Sequence, residues 1–447
     1  MAIYRRESGM DIEQPYWPLG IFKVRLPLVH YRWEWPECIQ GILLCATCLG
    51  AIPVLTEVLG VPFEIAWGMV IINGFLYMLH AHLGDPVVPG WITPAIPLVV
   101  AWLNTYAIGP ERTKALVALQ LSIGIFFVFM GITGLAKRLI AMVPNSLKAG
   151  ILLGAGFAAV MGEFRPGGRF GQFPFTLALS GLFAYYLLFS KSFTDVREKH
   201  PFLNKAGRFG MLPALVLAII LGPLFGELSI PKVEIGNIFF LPPIREIINY
   251  VSPFAIGFPS LAIFLNALPL MFSAYIIAFG DFVTAEALIT EADKARRDEK
   301  IDFNADRSNL ISGVRNIIEA LISPYTQLCG PLWAAVTASV AQRYQEGREG
   351  MDSIFSGAGT FRVTTFIAVA TIPVVTLVRP ILPVALSITL LVQGFVCARV
   401  GMNMIRTNEE MGVAGVMAAV LAIRGAAWGL AVGILLYLLV QYRRGKE

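Results

Sequence analysis

Asp85-Pro86-Val87-Val88-Pro89-Gly90-Trp91-Ile92-Thr93-Pro94-Ala95-Ile96-Pro97 and Ser323-Pro324-Tyr325-Thr326-Gln327-Leu328-Cys329-Gly330-Pro331-Leu332-Trp333 interrupt two otherwise apolar segments, one in each half of the chain. Each reads as an extended piece followed by an apolar helix, with Thr93-Pro94 and Gly330-Pro331 at the junctions. Proline suits the first helical position, because its missing N–H would find no partner there anyway. Non-helical backbone survives at membrane depth only where protein or a water-filled cavity covers it. Paired breaks in corresponding places therefore point to a transport site.

The rest of the chain fits a bilayer. Of its 447 residues, 56% are hydrophobic and only 15% charged, with mean hydropathy +0.68. Soluble domains carry roughly 25% charged residues, so a polytopic membrane protein is expected, with the lipid bilayer as its surroundings and no nucleic-acid partner. Residues 1–36 are charged and broken by Pro15, Pro18 and Pro27, unlike a cleavable signal. They read as a cytoplasmic segment with Trp17, Trp33 and Trp35 near the headgroups. All five cysteines sit in apolar stretches and read as reduced thiols; Cys45-x-x-Cys48 reads as small packing residues.

Apolar runs predict fourteen segments, at 37–59, 62–82, 86–103, 113–134, 145–163, 172–190, 211–228, 259–288, 306–322, 324–341, 354–377, 382–404, 411–425 and 426–441. With both termini cytoplasmic, 25 Lys and Arg fall inside against 8 outside; Arg315 and Arg362, within segments, complete the 35. That asymmetry is the positive-inside pattern. The inside set includes Lys205, Arg208, Arg443, Arg444 and Lys446. Seven plus seven segments turn the second half upside down relative to the first. Val143-Pro144 opening segment 5 and Leu382-Pro383 opening segment 12 support a duplication, so an inverted repeat is expected.

At this point the residues resemble a known fold. Trp91-Ile92-Thr93-Pro94, Val143-Pro144 leading into Gly150-Ile151-Leu152-Leu153-Gly154-Ala155-Gly156, Ala278-Phe279-Gly280-Asp281, and Asn309-Leu310-Ile311-Ser312-Gly313 resemble segments 3, 5, 8 and 9 of nucleobase–ascorbate transporters such as uracil permeases. Sulfate permeases and anion exchangers share that seven-plus-seven fold. The resemblance spans roughly residues 36 to 441. It implies a core domain of segments 1–4 and 8–11 (37–134 and 254–377), a gate domain of segments 5–7 and 12–14 (135–253 and 378–447), and often a homodimer. It also implies a site between half-helices 3 and 10, faced by segments 1 and 8, which brings in Phe279. Nucleobase transporters carry a carboxylate or amide at the start of half-helix 10. Here Gly330-Pro331 falls there and Thr326 and Gln327 are the nearest polar side chains, so the substrate does not carry over.

Two half-helices meeting head to head aim unpaired N–H groups and positive dipole ends at one spot, which favours an anion or an electron-rich carbonyl or ring nitrogen. The candidate binding residues are Trp91, Ile92, Thr93, Thr326, Gln327, Leu328, Cys329, Gly330 and Phe279; Gly90 and Gly330 would let a ligand approach the backbone. Asp281 lies inside segment 8, where an isolated carboxylate costs several kcal/mol unless paired, hydrated or protonated. It is the first choice for loading a coupling ion, with Glu286 second. Arg315 and Glu319, four apart on one helical face, read as a mutually neutralised pair. His80-x-His82-x-x-Asp85 reads as a polar helix end at the membrane interface rather than a metal site. Glu163 and Arg399 read as gate or interface residues. Phosphate-binding loops, zinc helices and nucleophile elbows are missing from the sequence, so no enzyme and no cofactor is expected.

The fold expected is an all-α polytopic membrane protein with fourteen segments in an inverted repeat. The function expected is secondary transport of a small polar solute, anionic or nucleobase-like, across a bacterial-type inner membrane by proton or sodium symport. An uncoupled anion exchanger or channel of the same fold is the alternative.

Overall fold

The computed structural model describes residues 3–7, 9–200 and 211–441. Lys205, Arg208, Arg443, Arg444 and Lys446 of the charge count lie outside the described residues. Among the described residues, six helices are long and apolar enough to cross a membrane: Trp35–Leu59, Phe63–His82, Pro110–Thr133, Asn145–Gln172, Leu261–Ala295 and Ile372–Met404. Shorter apolar helices include Thr93–Leu103, Pro174–Phe189, Leu212–Leu224, Ile354–Val369 and Ala426–Gln441. The chain is an all-α, multi-pass membrane protein.

Helix starts follow the prolines. Asn145–Phe164 begins directly after Pro144, and Leu382–Met404 carries Pro383 in its first turn, where the absent N–H leaves no bond unmade.

The packing repeats itself between the halves. Segment 1 packs along segment 11 (Trp35–Leu49 on Ile354–Val369) as segment 8 does along segment 4 (Leu261–Ala295 on Pro110–Thr133). Segment 2 meets segment 11, and segment 9 (Ala305–Ile322) meets segment 4. Segment 5 packs on both 12 and 13, and 12 on 6; helices 6 and 7 pair as 13 and 14 do. Exchanging each segment for the one seven later reproduces the list, which is the signature of an inverted repeat. Paired glycines let these helices touch closely. A Cβ on Gly313 would lie 2.8 Å from the Gly124 carbonyl oxygen, and one on Gly156 would lie 2.9 Å from that of Gly394.

Two expectations need correction. Segment 11 ends at Val369 rather than 377, because residues 238–240 cross there and exchange main-chain bonds: Ile372 N–H donates to the Ile238 carbonyl and Phe240 N–H to that of Ala370, both 2.9 Å. Segment 8 continues to Ala295 rather than ending at 288, so part of the connection to segment 9 is helix, and Ile289, Ala292, Arg296 and Glu299 are buried. The cause is the N-terminal segment, which lies across this end as a strap. A hairpin of β1 (Trp17–Leu19) and β2 (Phe22–Val24) carries it. Arg25 N–H then donates to the His82 carbonyl (2.9 Å) and Lys300 N–H to that of Ile12 (2.9 Å). Trp17 and Trp35 are exposed, as headgroup anchors would be.

Candidate functional site

The two interrupted stretches meet. β3 (Gly90–Trp91) and β4 (Cys329–Gly330) form an antiparallel pair, Gly90 opposite Gly330 and Trp91 opposite Cys329. Ile92 N–H donates to the Leu328 carbonyl at 3.1 Å, and Trp333 N–H donates to that of Val88 at 2.7 Å. The glycines are needed for this crossing. A Cβ on Gly330 would stand 2.8 Å from the Trp91 carbonyl carbon, and one on Gly90 2.5 Å from the Leu332 oxygen. What comes close to them is the opposite strand, which corrects their assignment to ligand approach. Leu328 holds a left-handed φ of 46°, strained for a branched residue and typical of a functional turn.

One half-helix starts as expected, with a turn at Thr93–Ala95 running into Ile96–Leu103. The other starts at Ala334 rather than at Pro331. The bond from Trp333 to Val88 keeps residues 331–333 extended, and Thr337 Oγ1 accepts from the Val88 N–H at 3.1 Å.

A polar stripe on the Ala305–Ile322 helix holds β4 from its other edge. Asn316 accepts from Cys329 N–H (3.0 Å) and donates to its carbonyl (2.9 Å). Glu319 accepts from Asn73 (2.6 Å), Gln120 (2.9 Å) and the Cys329 thiol (3.0 Å). Gln120 Oε1 in turn accepts from Tyr325 N–H at 2.8 Å. Asn73, Gln120 and Asn316 are not singled out by the sequence reading, and Glu319 enters it only as a partner for Arg315, although Ser308, Ser312, Arg315, Asn316 and Glu319 recur at helical spacing within an otherwise apolar region and form a readable signal.

Among the binding candidates, Ile92, Thr326, Gln327, Leu328, Cys329 and Gly330 are buried, whereas Trp91 and Thr93 are half-buried. The Thr326 hydroxyl donates to Gln327 Oε1 at 2.8 Å. Gln327 Nε2 and Trp91 Nε1 have no protein partner, and the Trp91 ring centre is 6.3 Å from that of Tyr325. The Cys329 thiol belongs to the Glu319 network, so it acts as scaffold.

The segment 8 candidates separate. Phe279 and Glu286, seven apart, share one face and line a cavity of about 320 Å³ with Lys137, Phe282 and Asn309. Asp281 is two residues from Phe279, about 200° round the helix, so the two do not face one site. Asp281 is half-buried, near Cys397, and has no hydrogen bond or ion pair among the described residues. Glu286 is an exposed partner of Lys137 at 3.4 Å.

Two further readings change. Arg315 and Glu319 form no ion pair; Arg315 Nη1 donates to the Gly330 carbonyl at 3.2 Å. The Arg315 guanidinium lies 4.3 Å from the Tyr77 ring centre, and that of Arg362 lies 4.2 Å from the same ring. The two cationic carbons are therefore within about 8.5 Å of each other, the sum of those distances. At an effective dielectric of 20 their repulsion is about 2 kcal/mol or more. His80 and Asp85 are fully buried as a bonded pair where the helix end meets the N-terminal strap: His80 Nδ1 is 2.7 Å from Asp85 Oδ2, which also accepts from Ser308 Oγ at 2.5 Å. No group of metal-ligating residues occurs among the described residues.

A second cavity of about 320 Å³ lies where the Ile96–Leu103 half-helix meets the helices starting at Asn145 and Leu382. At its rim Arg169 bridges Glu57 (2.8 Å) and Glu163 (2.7 Å), and Glu163 also accepts from Ser387.

Fold and site together define a class: membrane proteins with two broken helices from inverted halves converging inside the bundle. Solved structures carry the same architecture. The murine Solute Carrier 26 family member A9 (Slc26a9) anion transporter in the inward-facing state matches with TM-score 0.54 and 13% identity over 91% of this chain and 68% of that one. A second structure of SLC26A9 matches with TM-score 0.54 and 12% identity over 91% of this chain and 65% of that one. The transmembrane domain of the cyanobacterial bicarbonate transporter BicA matches with TM-score 0.46 and 17% identity over 90% and 95%. The assignment of fold rests on the two at 0.54. No family model and no curated protein matches the sequence.

Proposed function

We propose that the protein is a secondary transporter of a small anion, working by alternating access. The observation that carries this reading is the meeting of β3 and β4 next to two half-helix starts, with the Trp91 and Gln327 N–H groups unpaired beside them. Positive helix ends plus free donors suit an anion. The anion-transporter neighbours support the same solute class. The packing supports a division into a core of segments 1–4 and 8–11 and a gate of segments 5–7 and 12–14, since helices pack most extensively within each set. Movement of one set against the other would expose the site to each side in turn.

Asp281, near Cys397 of the Leu382–Met404 helix, then stands at the seam between the sets. A carboxylate there without a partner suits loading by H+ or Na+, so we assign coupling to Asp281 and not to the Lys137-paired Glu286. Arg169, joining Glu57 of the core to Glu163 of the gate, acts as a latch on the side where segments 1 and 5 end. On the orientation that the charge count favours, that side faces away from the cytoplasm.

The test is uptake into proteoliposomes of labelled sulfate, bicarbonate, chloride and dicarboxylates, with imposed proton or sodium gradients. Gradient-dependent accumulation of one of them is expected; uptake no greater than in protein-free vesicles for all of them would refute the reading. The Trp91 and Tyr325 rings favour a planar nucleobase as the second reading. Binding of uracil or xanthine, with no anion competing, would select it.

A further inference from the structure

We propose that Arg315 and Arg362 form a second, fully buried anion site that takes one compact monovalent inorganic anion of chloride or bromide size. The two residues come from different helices, Ala305–Ile322 and Ile354–Val369, and converge on Tyr77 of a third. Trp333 and Phe361 close over Arg362, with ring centres 5.3 and 5.4 Å from its guanidinium. Neither arginine is more than 1% exposed. Guanidinium stays protonated in proteins, so both carry charge inside the bundle. A buried charge needs a partner of opposite sign with hydrogen bonds to match.

Protein atoms do not supply it. Arg315 Nε and Nη2 and all three nitrogens of Arg362 meet no oxygen or nitrogen acceptor; the buried Cys48 thiol approaches Arg362 and the Cys329 thiol approaches Arg315, and a neutral sulfur balances neither charge. Glu319 lies close enough to offset Arg315 through space, yet Asn73, Gln120 and Cys329 already take its oxygens. Asp85 turns its Oδ2 to His80 and Ser308 and leaves Oδ1 without a partner, and it forms no ion pair with either arginine. Aromatic faces contribute only their quadrupoles.

With Glu319 offsetting one charge, one positive charge remains, which sets the ligand as monovalent. A span of at most about 8.5 Å between the guanidinium carbons is one that a single halide bridges by accepting N–H bonds from both. The site adjoins the Gly330 carbonyl through Arg315 but uses neither Trp91 nor Gln327. It therefore stands apart from the solute site proposed above and does not depend on it.

The experiment is thermal unfolding of the purified full chain in detergent, at constant ionic strength, with sodium chloride replacing sodium gluconate. Chloride should raise the midpoint saturably in the native protein and in Gln327→Ala, and should raise it less in Arg362→Gln than in the native protein. Absence of a chloride effect in the native protein, or an equal effect in Arg362→Gln, overturns the site. An effect lost in Gln327→Ala but kept in Arg362→Gln would also overturn it, by placing chloride at the solute site. Should Arg362→Gln fail to fold, bromide in crystals of the native protein decides the matter. An anomalous peak touching both guanidiniums is expected, and no peak there refutes the proposal. A failure of transport in proteoliposomes would leave all these outcomes unchanged.

Discussion

Glu319 ties three parts of the molecule to the strand ahead of half-helix 10, and removing its carboxylate should loosen all of them. In Glu319→Ala, Asn73 Nδ2 and Gln120 Nε2 lose their acceptor inside a buried network. Each orphaned donor costs about 1–3 kcal/mol, so a loss of about 2–6 kcal/mol is expected. Glu319→Gln keeps the shape and one accepting oxygen but turns an NH2 towards another donor. That leaves one bond unmade, about 1–3 kcal/mol. Chemical or thermal unfolding in detergent should rank the native protein above Glu319→Gln and Glu319→Ala last, with solute affinity falling in the same order. If Glu319→Ala unfolds within about 0.5 kcal/mol of the native protein, the carboxylate is not the tie described and the scaffold argument fails.

Gly330→Ala should destabilise by about 1–3 kcal/mol, because its Cβ would meet the main chain of Trp91 and Ile92, which cannot rotate away; unfolding measurements showing no loss would contradict the strand crossing. Gln327→Leu should weaken solute binding by roughly tenfold or more, one charge-assisted hydrogen bond, and unaltered affinity in direct binding would take Gln327 out of the site. Asp281→Asn should retain exchange across proteoliposomes while losing gradient-driven accumulation; intact accumulation would remove Asp281 from coupling. The hydrogen bond from Arg296 holds the Asp298 carboxyl, beyond the end of the segment 8 helix, at about 2 against an ordinary 3.8. Its stabilisation is present above pH 3.8 and is lost as pH falls towards 2. Asp298→Asn should therefore flatten the acid limb of stability between about pH 4 and 2, and an unchanged limb would dismiss the contribution of this half-exposed group.

Prolines and hydropathy made most of the fold legible. Pro94, Pro144 and Pro383 mark helix starts where the structure has them, and both broken stretches lie where the apolar runs are interrupted. What stayed hidden depends on partners far away in the chain. The delay of half-helix 10 to Ala334 comes from Val88, some 245 residues earlier, accepting a bond from Trp333. The helical extension to Ala295 is covered by the N-terminal strap, whose prolines and interleaved charges break up any helical or strand period that would announce packing. In the site, residue type was a fair guide and direction was not. Phe279 and Asp281 are neighbours in sequence but point to opposite sides of one helix, and Arg315 reaches the Gly330 carbonyl instead of the nearby Glu319.

The contact between β3 and β4 is made of peptide groups and hydrogens on Cα, with no side chain in its bonding. Peptide groups are the same whatever residue carries them. The crossing point can therefore keep its geometry while Trp91, Thr326 or Gln327 are exchanged for other residues, provided the two glycines stay. Such a frame would let the chemical preference of the pocket be retuned one substitution at a time, without rebuilding the joint on which the motion turns.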